Sequence, residues 1–256
     1  MPEPILEAHN LSRTFGDFLA VDDASFTLNA GEIVGFLGPN GAGKTTTIKM
    51  LTGLLGPTSG SARIAGFDIT ESPLEAKSRI GYVPDTPNLY GKLKAQEYLR
   101  FLGQLYKVPA AQVEERIRPM LDMFELTDVA GNYLDTFSHG MQQKVAIIGA
   151  FLHDPRIVFM DEPTVGLDPR SARLIKDLMI RNRDLGRTIF FSTHILEIAQ
   201  TMCDRVIIIN KGRIIADAQV SEMRRMRGDQ SLEDIFLELT GGRDVDDMVK
   251  ELEDGG

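Results

Sequence analysis

Residues 38–46, Gly38-Pro39-Asn40-Gly41-Ala42-Gly43-Lys44-Thr45-Thr46, have the composition of a loop that holds phosphate. Glycines let the backbone curl so that successive N–H groups point inward, and a helix starting where the loop ends adds its positive dipole end. Lys44 can reach β- and γ-phosphates as a point charge, and the Thr45 hydroxyl can ligate Mg²⁺. A chance match to this spacing is on the order of one per cent. The flanks fit as well, with apolar Ile33–Leu37 before the loop and helical Thr47–Leu51 after it. The loop implies a nucleoside triphosphate, without saying which.

Other segments carry chemistry with a plainer alternative beside it. The apolar run 157–160 ends in Asp161-Glu162, and an unpaired carboxylate at the edge of a core is expensive. Asp161 can hold Mg²⁺ directly or through water. Glu162 would then stand beside the γ-phosphate, where it could polarise an attacking water. Alone, Asp161-Glu162-Pro163-Thr164 also suits a turn that caps the next helix. His194 follows the apolar run 188–193; a histidine there is more often structural than catalytic. Ser138 precedes an apolar helical run and reads as an N-cap, yet with flexible Gly140 the same helix start suits a second anion. Asp85 closes the run Ile80–Pro84 where a hinge belongs.

The elements that must position these residues alternate. Strands are predicted at 5–11, 18–28, 32–37, 62–65, 80–84, 157–161, 188–192, 206–209 and 213–216, with helical patterns between them, which indicates an α/β fold. Residues 5–11 and 18–28 read as an antiparallel pair, and Asn210-Lys211-Gly212 as a hairpin turn. Between Pro87 and Leu152 the pattern is helical: Tyr98, Leu102 and Leu105 share one face, and Val113, Ile117, Met120, Leu121 and Phe124 another. Pro119 is expected to kink the second helix. After Ala218 a helix places Leu232, Ile235, Phe236 and Leu239 on one side and ends at Gly241-Gly242. The chain thus divides into a discontinuous α/β core (1–86 and 153–218), an inserted helical lobe (87–152) and a C-terminal helical segment with an acidic tail (219–256).

The 256 residues include 43% hydrophobic and 25% charged side chains, an ordinary globular balance. The longest apolar run, Val145–Leu152, falls short of the ~18–20 residues of a membrane span. There is no secretory signal pattern at the start. One cysteine, Cys203, excludes a disulfide framework and fits a reducing cytosol. The net charge is −9, and most of it sits at the end, where residues 229–256 hold ten Asp and Glu against Arg243 and Lys250. The near-neutral remainder argues against nucleic acid as a partner, since that needs a basic surplus.

Taken together and in order, these segments resemble the nucleotide-binding subunit of ABC transporters from about Leu6 to Ala218. The segments are the phosphate loop, the hinge, the helical lobe, a Ser-x-Gly signature, the Asp-Glu pair, Gly166-Leu167-Asp168 and His194. The resemblance implies a RecA-like P-loop core with an N-terminal antiparallel β-subdomain and an inserted helical lobe. It implies ATP and Mg²⁺, with Gly38–Thr46 on the phosphates, Thr45, Asp161 and Asp85 near the metal, Glu162 as catalytic base and His194 on the γ-phosphate. Phe15 takes the place of an aromatic, usually Tyr, that stacks on adenine. Asp85 replaces the usual glutamine, and Phe137-Ser138-His139-Gly140-Met141 departs from Leu-Ser-Gly-Gly-Gln while keeping Ser138 and Gly140. Those two residues would act on the nucleotide of a second subunit, with Asp168 at that interface.

Phe-Ser-His-Gly-Met, the hinge and Ser231–Phe236 look like the ATPase subunits of ABC-2-type exporters. This implies a homodimer or a pair with a related ATPase subunit, and a separate integral membrane permease. The location implied is cytoplasmic, on the inner face of the membrane. Two rivals are a GTPase, for which Asn210-Lys211-Gly212-Arg213 lacks the guanine-reading acid, and a soluble relative acting on ribosomes or DNA, which usually has two nucleotide domains or a coiled-coil insertion.

Overall fold

The apolar runs at 33–37, 157–161 and 188–193 become strands buried at every residue, as runs covered on both faces must be. The computed structural model of the chain describes residues 4–227 and 232–241. The first part contains β1 (Pro4–Phe15), β2 (Phe18–Asn29), β3 (Ile33–Leu37), α1 (Lys44–Leu51), β4 (Ser59–Ile64), β5 (Phe67–Asp68), α2 (Pro73–Lys77) and β6 (Ile80–Val83). Then come α3 (Ala95–Leu105), α4 (Ala110–Met123) and α5 (His139–Phe151). The chain continues through β7 (Ile157–Asp161), α6 (Pro169–Asp184), β8 (Thr188–Thr193), α7 (Leu196–Met202), β9 (Arg205–Asn210), β10 (Arg213–Gln219), α8 (Val220–Arg227) and α9 (Leu232–Thr240).

Two sheets result. One is antiparallel in the order β2-β1-β4-β5; the other runs β10-β9-β3-β8-β7-β6, parallel except for the edge strand β10. Alternate residues of the second sheet feed two different cores. Val34, Phe36, Phe159, Phe190 and Ile207 pack toward the antiparallel sheet and α1. Ile33, Leu37, Val158, Met160 and Ile189 pack toward α3–α7. The helices at 95–151 therefore share a core with one face of the sheet.

Several boundaries differ from the sequence expectation. β1 and β2 meet across Gly16-Asp17, with Phe15 opposite Phe18, so much of the expected connection at 12–17 is strand; Gly16 at φ +55° makes the tight turn. β4 starts at Ser59, ahead of the apolar residues, because pairing with β1 draws in Ser59 opposite Ser12. The sequence reading assigns no element to β5, α2, α6 or α7. The first two are too short to show a period, and the other two follow the chemical segments at 161–168 and 194. α4 contains Pro119 and continues to Met123. Lys211-Gly212 is the β9–β10 turn, with both residues at positive φ. On α9, Leu232 and Ile235 are buried and Phe236 and Leu239 half-buried, as the spacing predicts. Ser231 and the tail beyond Gly241 lie outside the described residues. Among those described, no helix is long and apolar enough to cross a membrane.

Phe190 stacks on Phe26 at 5.8 Å between ring centroids and meets Phe36 at 5.1 Å and Phe159 at 5.7 Å. Because this ring joins the two sheets, Phe190→Ala is expected to cost about 3–5 kcal/mol. Guanidinium unfolding followed by circular dichroism measures it.

Candidate functional site

The loop after β3 is pinned by backbone approach. A Cβ at Gly38 would sit 2.4 Å from the Ile209 carbonyl oxygen, and one at Gly43, whose φ is +109°, would sit 2.7 Å from that of Ala20. The β9–β10 turn ties the loop down: Gly212 N–H donates to the Ala42 carbonyl at 2.9 Å, and Asp22 N–H to the Gly212 carbonyl at 2.9 Å. Gly43 is the N-cap of α1 and offers no side-chain cap. The first N–H groups of α1 thus face the loop without a side-chain acceptor, where an anion is favoured. Lys44 is buried and its Nζ donates to the carbonyls of Gly38 at 2.7 Å and Pro39 at 3.2 Å. Burial lowers its pKa, and the charges of Glu162 and Asp161 oppose that.

The acids stand at the end of β7. Strand register sets Asp161 beside Ser192 of β8. The Ser192 hydroxyl donates to Asp161 Oδ1 at 2.5 Å and accepts from the Glu162 N–H at 3.0 Å. Glu162 has φ +48°, a conformation costing about 1–3 kcal/mol for a residue with a side chain. Its Oε2 lies 3.0 Å from His194 Nδ1. A cavity of about 350 Å³ is lined by Phe18 and Ala20, by Asn40, Gly41 and Gly43 to Thr46 of the loop, and by Asp85, Asp161 and Glu162. Asp85 Oδ1 also accepts from the Thr86 N–H at 2.7 Å.

Asp161 fits a cation. It is 1% exposed, and its Oδ2 is buried without a hydrogen-bond partner among the described residues, an arrangement that costs free energy unless something binds there. No cluster of three or more His, Cys, Asp or Glu among the described residues could hold a metal alone. A cation here would need oxygens from a bound phosphate, which is how Mg²⁺ is commonly held. The protein's donors would be Thr45, Asp161 and Asp85.

A family model described as ABC transporter matches residues 21–165. The chain belongs to the ABC transporter family. It is 36% identical over 242 residues to the probable multidrug ABC transporter ATP-binding protein YbhF of Escherichia coli (strain K12), covering 93% of this chain and 42% of that protein. The chain thus spans less than half the length of that relative. A solved structure described as the ATP-binding subunit of an ABC transporter superposes with a TM-score of 0.88 at 36% identity, covering 92% of this chain and 99% of the other. A dimeric ATP-binding cassette in a post-hydrolysis state, bound to ADP and Pi, gives a TM-score of 0.76 at 26% identity, covering 84% and 98%. The fold is accordingly the RecA-like P-loop fold of ABC ATPases.

Eight residues singled out in this ABC family member do not line the cavity: Gly38, Pro39 and Ala42 of the loop, His194, which meets Glu162, and Phe15, Ser138, Gly140 and Asp168. Phe15 is half-exposed, with the Arg13 guanidinium 4.7 Å from its ring centroid. Ser138 is the N-cap of α5, accepting from the Met141 N–H at 3.3 Å. Gly140 faces the Gly166 carbonyl. Asp168 caps α6, accepting from the Ser171 N–H at 2.8 Å and hydroxyl at 2.5 Å, with Lys144 Nζ 3.4 Å away. Sequence reasoning missed Phe18, Ser192 and Lys144. Ser192 carried a signal, a hydroxyl at the end of an apolar strand; Lys144 carried none.

Hydrogen bonds from the Ser171 hydroxyl and N–H, with the Lys144 charge, hold the Asp168 carboxyl down to about 2. A carboxylate depressed below its unfolded value near 3.9 adds stability above that value and loses it as pH falls toward the folded one. The thermal-midpoint gap between the wild type and Asp168→Asn is therefore expected to be full at neutral pH and to narrow between about pH 4 and 2.

Proposed function

We propose that this chain binds and hydrolyses ATP and, paired with a second copy or a related ATPase subunit, drives export of a substrate through a separate integral membrane permease. The observation that carries this reading is the Glu162–His194 contact at the wall of a cavity floored by the phosphate loop. The loop N–H groups and Lys44 would hold the β- and γ-phosphates. Glu162, oriented by His194, would take a proton from water as its oxygen bonds to the γ-phosphorus and the bond to the β-phosphate oxygen breaks. Bound Mg²⁺ would supply charge neutralisation of the phosphates, held by Thr45, Asp161 and Asp85. Phe15 would stack on the adenine.

Ser138, Gly140 and Asp168 lie outside this cavity, which suits action on a partner's nucleotide. The dimeric, ADP- and Pi-bound neighbour supports the same arrangement, and the multidrug name of YbhF supports export. We further take residues 87–152 as the lobe that carries the signature. A groove of about 590 Å³ between it and the core, lined by Tyr82, Thr86, Leu89, Tyr98, Leu102 and Tyr106 among others, would receive a short permease helix. The protein would then sit on the cytoplasmic face of the membrane. Closure is driven by the greater affinity of ATP for the closed pair, and loss of the γ-phosphate contacts reopens it.

Glu162→Gln is expected to keep ATP binding and ATP-dependent pairing, while steady-state phosphate release falls by roughly 100-fold or more. Normal turnover by the folded variant would overturn the assignment of Glu162. Purified from its native cell with ATP in mild detergent, the same variant should bring down an integral membrane protein in stoichiometric amount. Ribosomes or DNA-repair factors without one would overturn transport.

A further inference from the structure

Away from the phosphate loop, a cleft of about 640 Å³ opens where the antiparallel sheet meets the N-terminal ends of β6 and β7. It shares no lining residue with the nucleotide cavity. Arg63, Arg79 and Arg156 line it together with Phe67. The fold forces two of these cations together, because the Arg79 carbonyl accepts both the Arg156 N–H at 2.9 Å and the Ile157 N–H at 3.2 Å. The Arg79 guanidinium lies 4.2 Å from the centroid of the Phe67 ring and donates to the Glu75 carbonyl at 2.8 Å and the Ser78 hydroxyl at 3.0 Å. It is a flat cation already fixed in place.

The Arg63 and Arg156 side chains have no hydrogen-bond or ion-pair partner among the described residues. Among the described residues one acid lines the cleft, Glu7, opposite Arg63 in the β1–β4 register and 3.9 Å from His9. Asp68, opposite Arg63 on β5, is occupied by the N–H groups of Thr70 and Glu71. Among the described residues the three guanidinium groups that line the cleft outnumber the Glu7 and Asp68 carboxylates opposite Arg63, which leaves a local positive surplus in a chain whose net charge is −9. Planar guanidinium groups match phosphate oxygens in pairs, and the volume is that of a small-molecule site.

We infer that this cleft is a second anion site that binds a phosphate monoester, with Arg63 and Arg156 on the phosphate and the Arg79–Phe67 stack beneath the group that carries it. The phosphate could belong to a soluble metabolite or to a lipid headgroup, and binding here does not depend on ATP hydrolysis.

The test uses the full chain carrying Lys44→Ala, which disables the phosphate loop. One arm titrates AMP by calorimetry; the other sediments the protein with phosphatidylcholine vesicles with and without phosphatidic acid. Binding in either arm that weakens roughly tenfold or more in Arg63→Gln/Arg156→Gln is expected, and the responding arm identifies the source. Both arginines are exposed, so an unchanged thermal midpoint confirms that the double variant folds; should it not, single Arg63→Lys and Arg156→Lys variants replace it and are expected to weaken binding less. Binding in neither arm, or binding indifferent to the arginines, would overturn the inference.

Discussion

The register of three parallel strands decides where charge stands in this protein. β8 pairs with β3 on one side and β7 on the other, which sets Leu37 beside Thr193 and Asp161 beside Ser192. One hydroxyl then serves two residues: Ser192 donates to the Asp161 carboxylate and accepts from the Glu162 amide. Everything chemical follows from that line. The phosphate loop leaves β3 at the same level as the acids leave β7, and His194 leaves β8 at 3.0 Å from Glu162. A slip of one residue would turn Asp161 to the other face of the sheet.

The loop itself depends on parts that carry no chemistry. Gly38 and Gly43 let the carbonyls of Ile209 and Ala20 approach so closely that a Cβ at either position would clash. The β9–β10 turn, whose Asn-Lys-Gly composition superficially resembles a guanine-reading motif, instead braces Ala42 from behind. With the loop held, Lys44 folds over the carbonyls of Gly38 and Pro39 and faces the acid pair. Its charge and theirs compensate each other across a partly buried cavity, where unpaired charges would be costly.

The segment from Glu162 to Asp168 links two regions that act on different nucleotides in the proposed pair. It begins at the Glu162–His194 contact and ends where Asp168 caps α6 and meets Lys144 of α5. Between them a Cβ on Gly166 would come 3.1 Å from the His139 ring. The helix that starts at Ser138 is thus packed against the same loop that carries the acid, which gives the two a common mechanical frame.

The phosphate loop, the strand ends carrying Asp161 and His194, the α/β alternation and the buried face of α9 were legible in the sequence. Each is a local pattern of spacing, polarity and backbone demand, and such patterns are properties of short stretches of chain. Tertiary structure decided what those patterns cannot encode. It placed Phe18 at the cavity, bridged Asp161 and Glu162 through Ser192, and set Lys144 on Asp168. It also formed α6 and α7 and gathered Arg63, Arg79 and Arg156 into one cleft. These pairings join residues far apart in the chain, and they arise only once strand order and register are chosen, because a contact depends on which segments the folded core brings side by side.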